Sequence, residues 1–195
     1  MLFLLSIASE DQRSAGIGDA LCTVDATSSK AAFIAGHVKP FPRGTLPCVA
    51  FTSLARAVRT QVQREAMVDW MLSQGAEIDH AGAGYSALMG AASTQDVSML
   101  KFLLARGAKP NAANAHGLTA IGAAVGSCVP GGPTAETERR MQPQVDVVEE
   151  LLLAGADTSI YTPEFIRTRV PLLAECCNRA PMALGQKRIC EAFRM

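Results

Sequence analysis

Residues 99–111 read Met99-Leu100-Lys101-Phe102-Leu103-Leu104-Ala105-Arg106-Gly107-Ala108-Lys109-Pro110-Asn111. An apolar helical run stops at Gly-Ala, and a polar residue follows shortly after. The same pattern runs from Met67 to Asp79, with its stop at Gly75, and from Val147 to Ser159, with its stop at Gly155. A helix often ends on a residue in the left-handed conformation, and glycine adopts that conformation without strain. Asp79, Asn111 and Ser159 then have side chains able to tie down the next turn.

Each run is preceded by a shorter element rich in small residues: Thr52–Val58, Ser86–Ala92 and Thr119–Val125. The hydroxyls of Thr52, Ser86 and Thr119 suit the start of a helix, where they can accept from orphan backbone N–H groups. The pair Ala91-Ala92 lets neighbouring helices approach closely, and Ala124-Val125 does nearly the same. Ser86 to Thr119 is a step of 33 residues and Gly75 to Gly107 a step of 32. A period near 33 residues with two short helices per unit resembles the ankyrin repeat. The resemblance covers roughly residues 49–160. It implies an all-α solenoid of stacked helix pairs joined by short hairpin loops. The sequence departs from the family where the usual proline is Ser53, Ala87 or Ala120 and the usual histidine is Ala55, Met89 or Gly122. A less regular and less stable array is the expectation.

The edges are harder to read. Residues 1–48 form an N-terminal extension or a degenerate first repeat, since Phe33-Ile34-Ala35-Gly36 followed by Lys39-Pro40 echoes the pattern faintly. Three repeats then occupy residues 49–160. The third is interrupted: Gly107 and Gly155 are 48 residues apart, so about 15 exceed the period. The excess falls at about 126–143, between two helices of one unit. The Pro130-Gly131-Gly132-Pro133 run there predicts a surface loop, with a partner-specific arm as the alternative. Thr134 could cap a short polar turn. Residues 161–195 read as a degenerate C-terminal capping repeat, with helices near Pro171–Cys177 and Gln186–Phe193.

Composition narrows the function. Of 195 residues, 49% are hydrophobic and 18% charged, which suits a globular chain. Eighteen basic and 18 acidic side chains cancel, so no general basic field draws nucleic acid or anionic lipid. The six cysteines lack Cys-x-x-Cys spacing, which predicts reduced, mostly buried thiols and an intracellular, reducing compartment. The run Met1-Leu2-Phe3-Leu4-Leu5-Ser6-Ile7-Ala8 has no preceding basic residue and is too short to span a bilayer. The nearest approach to a nucleophile elbow, Gly82 to Ser86, has the wrong order, and Gly16-x-Gly18 is too short to cradle a phosphate. No catalytic residue, cofactor or metal site is expected.

In the resembling family, loop tips and first helices line a concave face that binds proteins. Carried to this chain, the tips fall at about His80 to Tyr85 and Ala113 to Leu118. That assigns partner contact to His80, Tyr85, Asn114, His116 and Leu118. The groove side adds Arg56, Met89 and Gly122, with Arg59 and Gln95 near helix ends. The expectation is a monomeric, non-catalytic adaptor, inhibitor or effector that binds a protein partner. The alternative is a regulatory or enzymatic protein whose repeats only position a partner while residues 1–48 carry activity.

Overall fold

The computed structural model describes residues 60–81, 84–126, 133–178 and 182–194. Residues 1–48, Arg56, Arg59 and the first helix expected at Thr52–Val58 lie outside them. Among the described residues the chain is all helical, with no strand: α1 Gln61–Ser73, α2 Ala87–Ser93, α3 Val97–Ala105, α4 Ala120–Ala124, α5 Ala135–Leu153, α6 Pro163–Arg169, α7 Pro171–Cys177 and α8 Leu184–Ala192. None of these helices is long and apolar enough to cross a membrane.

Local chemistry sets the helix ends. At α1 the Thr60 hydroxyl accepts from Gln63 N, and Thr60 N donates to the Gln63 side chain at 2.8 Å, a reciprocal cap. Ser86 Oγ accepts from Met89 N at 3.3 Å, and Asp96 Oδ1 from Met99 N at 3.1 Å. The three expected stops are left-handed, with φ of 97° at Gly75, 88° at Gly107 and 86° at Gly155.

The helices form two layers. The inner layer packs α2 on α4, and the outer layer runs α1, α3, α5, α8. Between them lies a core of small alanines and larger aliphatic and thioether side chains, including Met71, Met89, Ala91, Ala92, Met99, Leu103, Ile121 and Leu151. Alanines in the inner helices allow the close approach that the sequence implies, and Met fills the remaining irregular space. A buried ion pair, Arg64 to Asp96 at 2.8 Å, joins α1 to the start of α3.

Two expectations are overturned. The segment at 126–143 is not all surface loop. Residues 135–143 are the first half of α5, a continuous 19-residue helix started by Thr134, whose hydroxyl accepts from Thr137 N at 3.2 Å. Thr137 and Met141 are buried and extend the stripe made by Val145 and Val148. Pro143 lies inside the helix but on its exposed side. The Gly/Pro signal upstream masked this periodicity, while residues 127–132 lie outside the described ones. The second correction concerns the thiols. Cys177 on α7 and Cys190 on α8 form a disulfide, with Cα atoms 5.7 Å apart, and Cys176 is disulfide-bonded as well. The two helices pack together and carry both cysteines to bonding distance across 13 residues of sequence. The expected reducing compartment rested on free thiols and loses that support.

A candidate protein-interaction surface at the loop tips

The tips follow from the helix stops. After each left-handed glycine the chain turns out of the outer helix and runs to the next inner helix, exposing a hairpin loop. Side chains four residues past one glycine hold the backbone two residues past the next. Asp79 Oδ1 accepts from Lys109 N at 2.9 Å, and Asn111 Oδ1 accepts from Asp157 N at 2.7 Å. Asn111 Nδ2 also donates to Gly155 O at 2.9 Å. The expected turn-tying role of Asp79 and Asn111 is thus played between neighbouring units. Ser159 acts locally: its N–H donates to Asp157 Oδ1 at 2.8 Å. The Asp157 carboxyl is held below its ordinary value, first by the Ser159 hydroxyl and then by this N–H.

Asn114 organises the second tip. Its Oδ1 accepts from His116 N and Leu118 N, each at 3.0 Å, while its own N–H donates to Leu118 O. Its Nδ2 donates to Gly84 O of the preceding tip at 3.0 Å. Asn114 is nearly buried and spends its polar atoms on these bonds, so it positions the tip more than it displays itself. Among the described tip residues Tyr85 and His116 are exposed, as are the small Ala113 and Ala115. His80 is half-buried, with Nδ1 3.9 Å from the Glu77 carboxylate. Leu118 is half-buried against the core.

Met89 is a correction. It was expected on the groove face but is 0% exposed, packed between the two layers. The third residue of a seven-residue helix points inward here, because α2 is buried on all sides from Ala87 to Ala92. Gln95 does not join the tips. It follows α2 at the opposite end, in a left-handed turn with φ 57°, its N–H on Ala92 O.

Gly122 is also no groove residue. A β-carbon there would lie 2.2 Å from the hydroxyl of Tyr161, so only glycine leaves room for that ring. Tyr161 follows the third tip and is itself buried. Its hydroxyl accepts from Thr119 N at 3.1 Å and pairs with Thr119 Oγ1 at 2.7 Å. Thr119 therefore occupies the cap position of α4 without capping through its side chain. The Tyr161 ring packs edge-on against Phe165 and Phe193, at centroid distances of 5.2 and 5.3 Å. The sequence reading missed Tyr161. Its only signal was a glycine inside a helix where a larger residue was expected, with an aromatic following the next glycine stop.

The surface that results is a row of rigid hairpins presenting an aromatic ring, imidazoles and polar backbone. Such groups recognise a partner by contact and hydrogen bonding. The ankyrin repeat family model matches residues 83–115, which run from the end of the first tip through α2 and α3 into the start of the second tip. No curated protein and no solved structure matches the chain. Helix pair, glycine stop and tip coincide with the matched segment, and the chain therefore carries at residues 83–115 an ankyrin repeat, a module that in general serves contact between proteins.

Proposed function

We propose that this chain is a non-catalytic binding module, an adaptor, inhibitor or effector, that seats a protein partner on its loop tips. The observation that supports this reading is the set of hydrogen bonds between tips. Asp79 to Lys109, Asn114 to Gly84 and Asn111 to Asp157 fix each hairpin against the next. A surface ordered before binding loses little conformational entropy when a partner arrives, so contact energy goes into affinity. Tyr85 is the natural anchor, because a tyrosine gives a large contact area from few rotatable bonds together with a polar tip. His116 stands one tip further along, and His80 and Leu118 flank the two. In this reading residues 49–160 are the recognising array and residues 161–195 close its end.

The test uses the full chain as bait, followed by titration of the captured protein. Replacing Tyr85 and His116 together by Ser should weaken binding at least tenfold, which is about 1.4 kcal/mol. Lys187→Ser on α8 should leave it unchanged. Equal affinity for wild type and the Tyr85/His116 variant would overturn the reading.

A further inference from the structure

The sulfurs of the terminal unit connect to the Tyr161 latch through one helical turn. Cys190 lies on α8 and is bonded to Cys177 of α7. Phe193 follows one turn later, its N–H on Cys190 O at 3.1 Å, so the two side chains leave neighbouring positions on one face. The Phe193 ring packs against Tyr161 at 5.3 Å, and the Tyr161 hydroxyl accepts from Thr119 N at 3.1 Å. A path of covalent bond, ring contact and hydrogen bond thus runs from α7 to the start of α4.

The hold on α8 is uneven. Near its start, Glu138 accepts from Leu184 N and Gly185 N, and the Gln186 amide donates to Cys176 O. Arg188 pairs with Glu149 at mid-helix. Among the described residues, the last turn is held to its neighbours by the disulfide and by the buried side chains of Ile189 and Phe193. Opening the bond therefore loosens the end of α8 that carries Phe193 and leaves the start anchored. The bond is also within reach. Cys177 is half-buried, whereas Cys190 is 3% exposed. Attack by an external thiolate falls on the reachable sulfur and expels the other.

We infer that the Cys177–Cys190 disulfide is a redox switch on the Tyr161 latch, opened by a dithiol reductant. One thiolate of the dithiol attacks Cys177 Sγ, the S–S bond breaks, and Cys190 leaves as a thiolate that takes up a proton. The second thiol of the reductant, as its thiolate, attacks the mixed disulfide and releases Cys177, which is protonated in turn. The protein disulfide has gained two electrons and two protons, and the dithiol has become a disulfide. In the closed state Phe193 walls Tyr161. In the open state that wall loosens and Tyr161 gives up Thr119.

The test uses the full chain, purified without reductant, with dithiothreitol as the dithiol. Peptide mapping under non-reducing conditions should recover the link between Cys177 and Cys190, and its absence would overturn the inference. Dithiothreitol should open the bond in native buffer. A bond opened only in denaturant would be a static staple and would overturn the inference as well. On reduction, amide exchange should speed up at least tenfold at residues 189–194 and at Thr119 N, and stay constant in α2 and α3. Removal of the reductant should restore the slow rates. Cys177→Ser combined with Cys190→Ser should exchange fast with or without dithiothreitol. This double variant keeps the separate bond of Cys176, so any remaining response to dithiothreitol would belong elsewhere and sink the switch. Unchanged exchange at Thr119, acceleration that spreads through α2 and α3, or a double variant that exchanges slowly would each do the same. A double variant without a folded baseline in a thermal melt would make the bond a staple of the whole fold, which also contradicts a switch. Because no partner enters the measurement, failure here leaves the tip reading standing.

Discussion

The central repeat and the terminal part of the array are held together by different means. Around α2 and α3 the ties repeat. A side chain four residues past one glycine binds backbone in the next unit, and a hydroxyl or carboxylate caps each helix. Around α5 to α8 the ties occur once each. Tyr161 latches Thr119, Glu138 caps α8 by accepting from Leu184 N and Gly185 N, and Cys177 is bonded to Cys190. A stacked array is stabilised mainly by neighbour contacts, so its last unit has one neighbour fewer. Singular long-range ties compensate at that end. The regular part can therefore absorb a lost tie, whereas the terminal part depends on each of its own.

Gly122→Ala should have the largest effect on this contrast. The new β-carbon meets the Tyr161 hydroxyl far inside contact distance, and the ring is walled by Phe165 and Phe193. Overpacking of this kind costs about 3 kcal/mol, read as a lower urea midpoint. Stability within a few tenths of wild type would mean that the latch is not built as described. Glu138→Gln comes next. It weakens a charge-assisted cap on α8 and should cost about 1–2 kcal/mol. Amide hydrogen exchange should speed up in α8 and leave α2 unchanged. The same bond makes the insertion part of the fold: removing residues 135–140 would remove Glu138 and the buried Thr137. In the regular part, Gly107→Ala should cost about 1 kcal/mol through left-handed strain alone, since nothing stands within 4 Å of the new β-carbon. A loss as large as that of Gly122→Ala would erase the distinction between the two regions.

The smallest effect concerns Asp157. Its carboxyl lies below the usual 3.8. The folded state thus favours the charged form. The contribution is present above the ordinary carboxylate range and fades as pH falls through the lowered value. The group is exposed, so an NMR titration of Asp157 is a better readout than a melt. A midpoint at or above 3.8 would remove the Ser159 hydrogen bonds from the account.

Legibility in the sequence follows the same divide. Gly75, Gly107 and Gly155 were readable because helix stops recur at fixed spacing and only one residue type suits them. The cap at Ser86 was readable from the recurring hydroxyl before each short helix, although the same reading does not hold for Thr119, whose side chain makes no cap bond. The α5 helix was not, because its first half lies behind a Gly/Pro run and contains Pro143, both of which argue locally for a loop. The disulfide was hidden because adjacent Cys176 and Cys177 gave no spacing that pointed to Cys190. At the tips the sequence could place Tyr85 and His116 on the surface. It could not tell that Met89 faces the core, since a seven-residue helix buried on every side shows no amphipathic period. Asn114 was singled out as a contact residue. The geometry gives its polar atoms to backbone groups of its own tip and of the tip before it.

The central claim is that a partner sits on the tips, and hydrogen exchange of the full chain with and without the captured partner tests it most directly. The account predicts slowed exchange at the backbone of residues 77–81, 84–85 and 109–118, with α1 and the outward face of α3 unchanged. Protection confined to the outer helices, with the tips exchanging as freely as in the unbound chain, would contradict it.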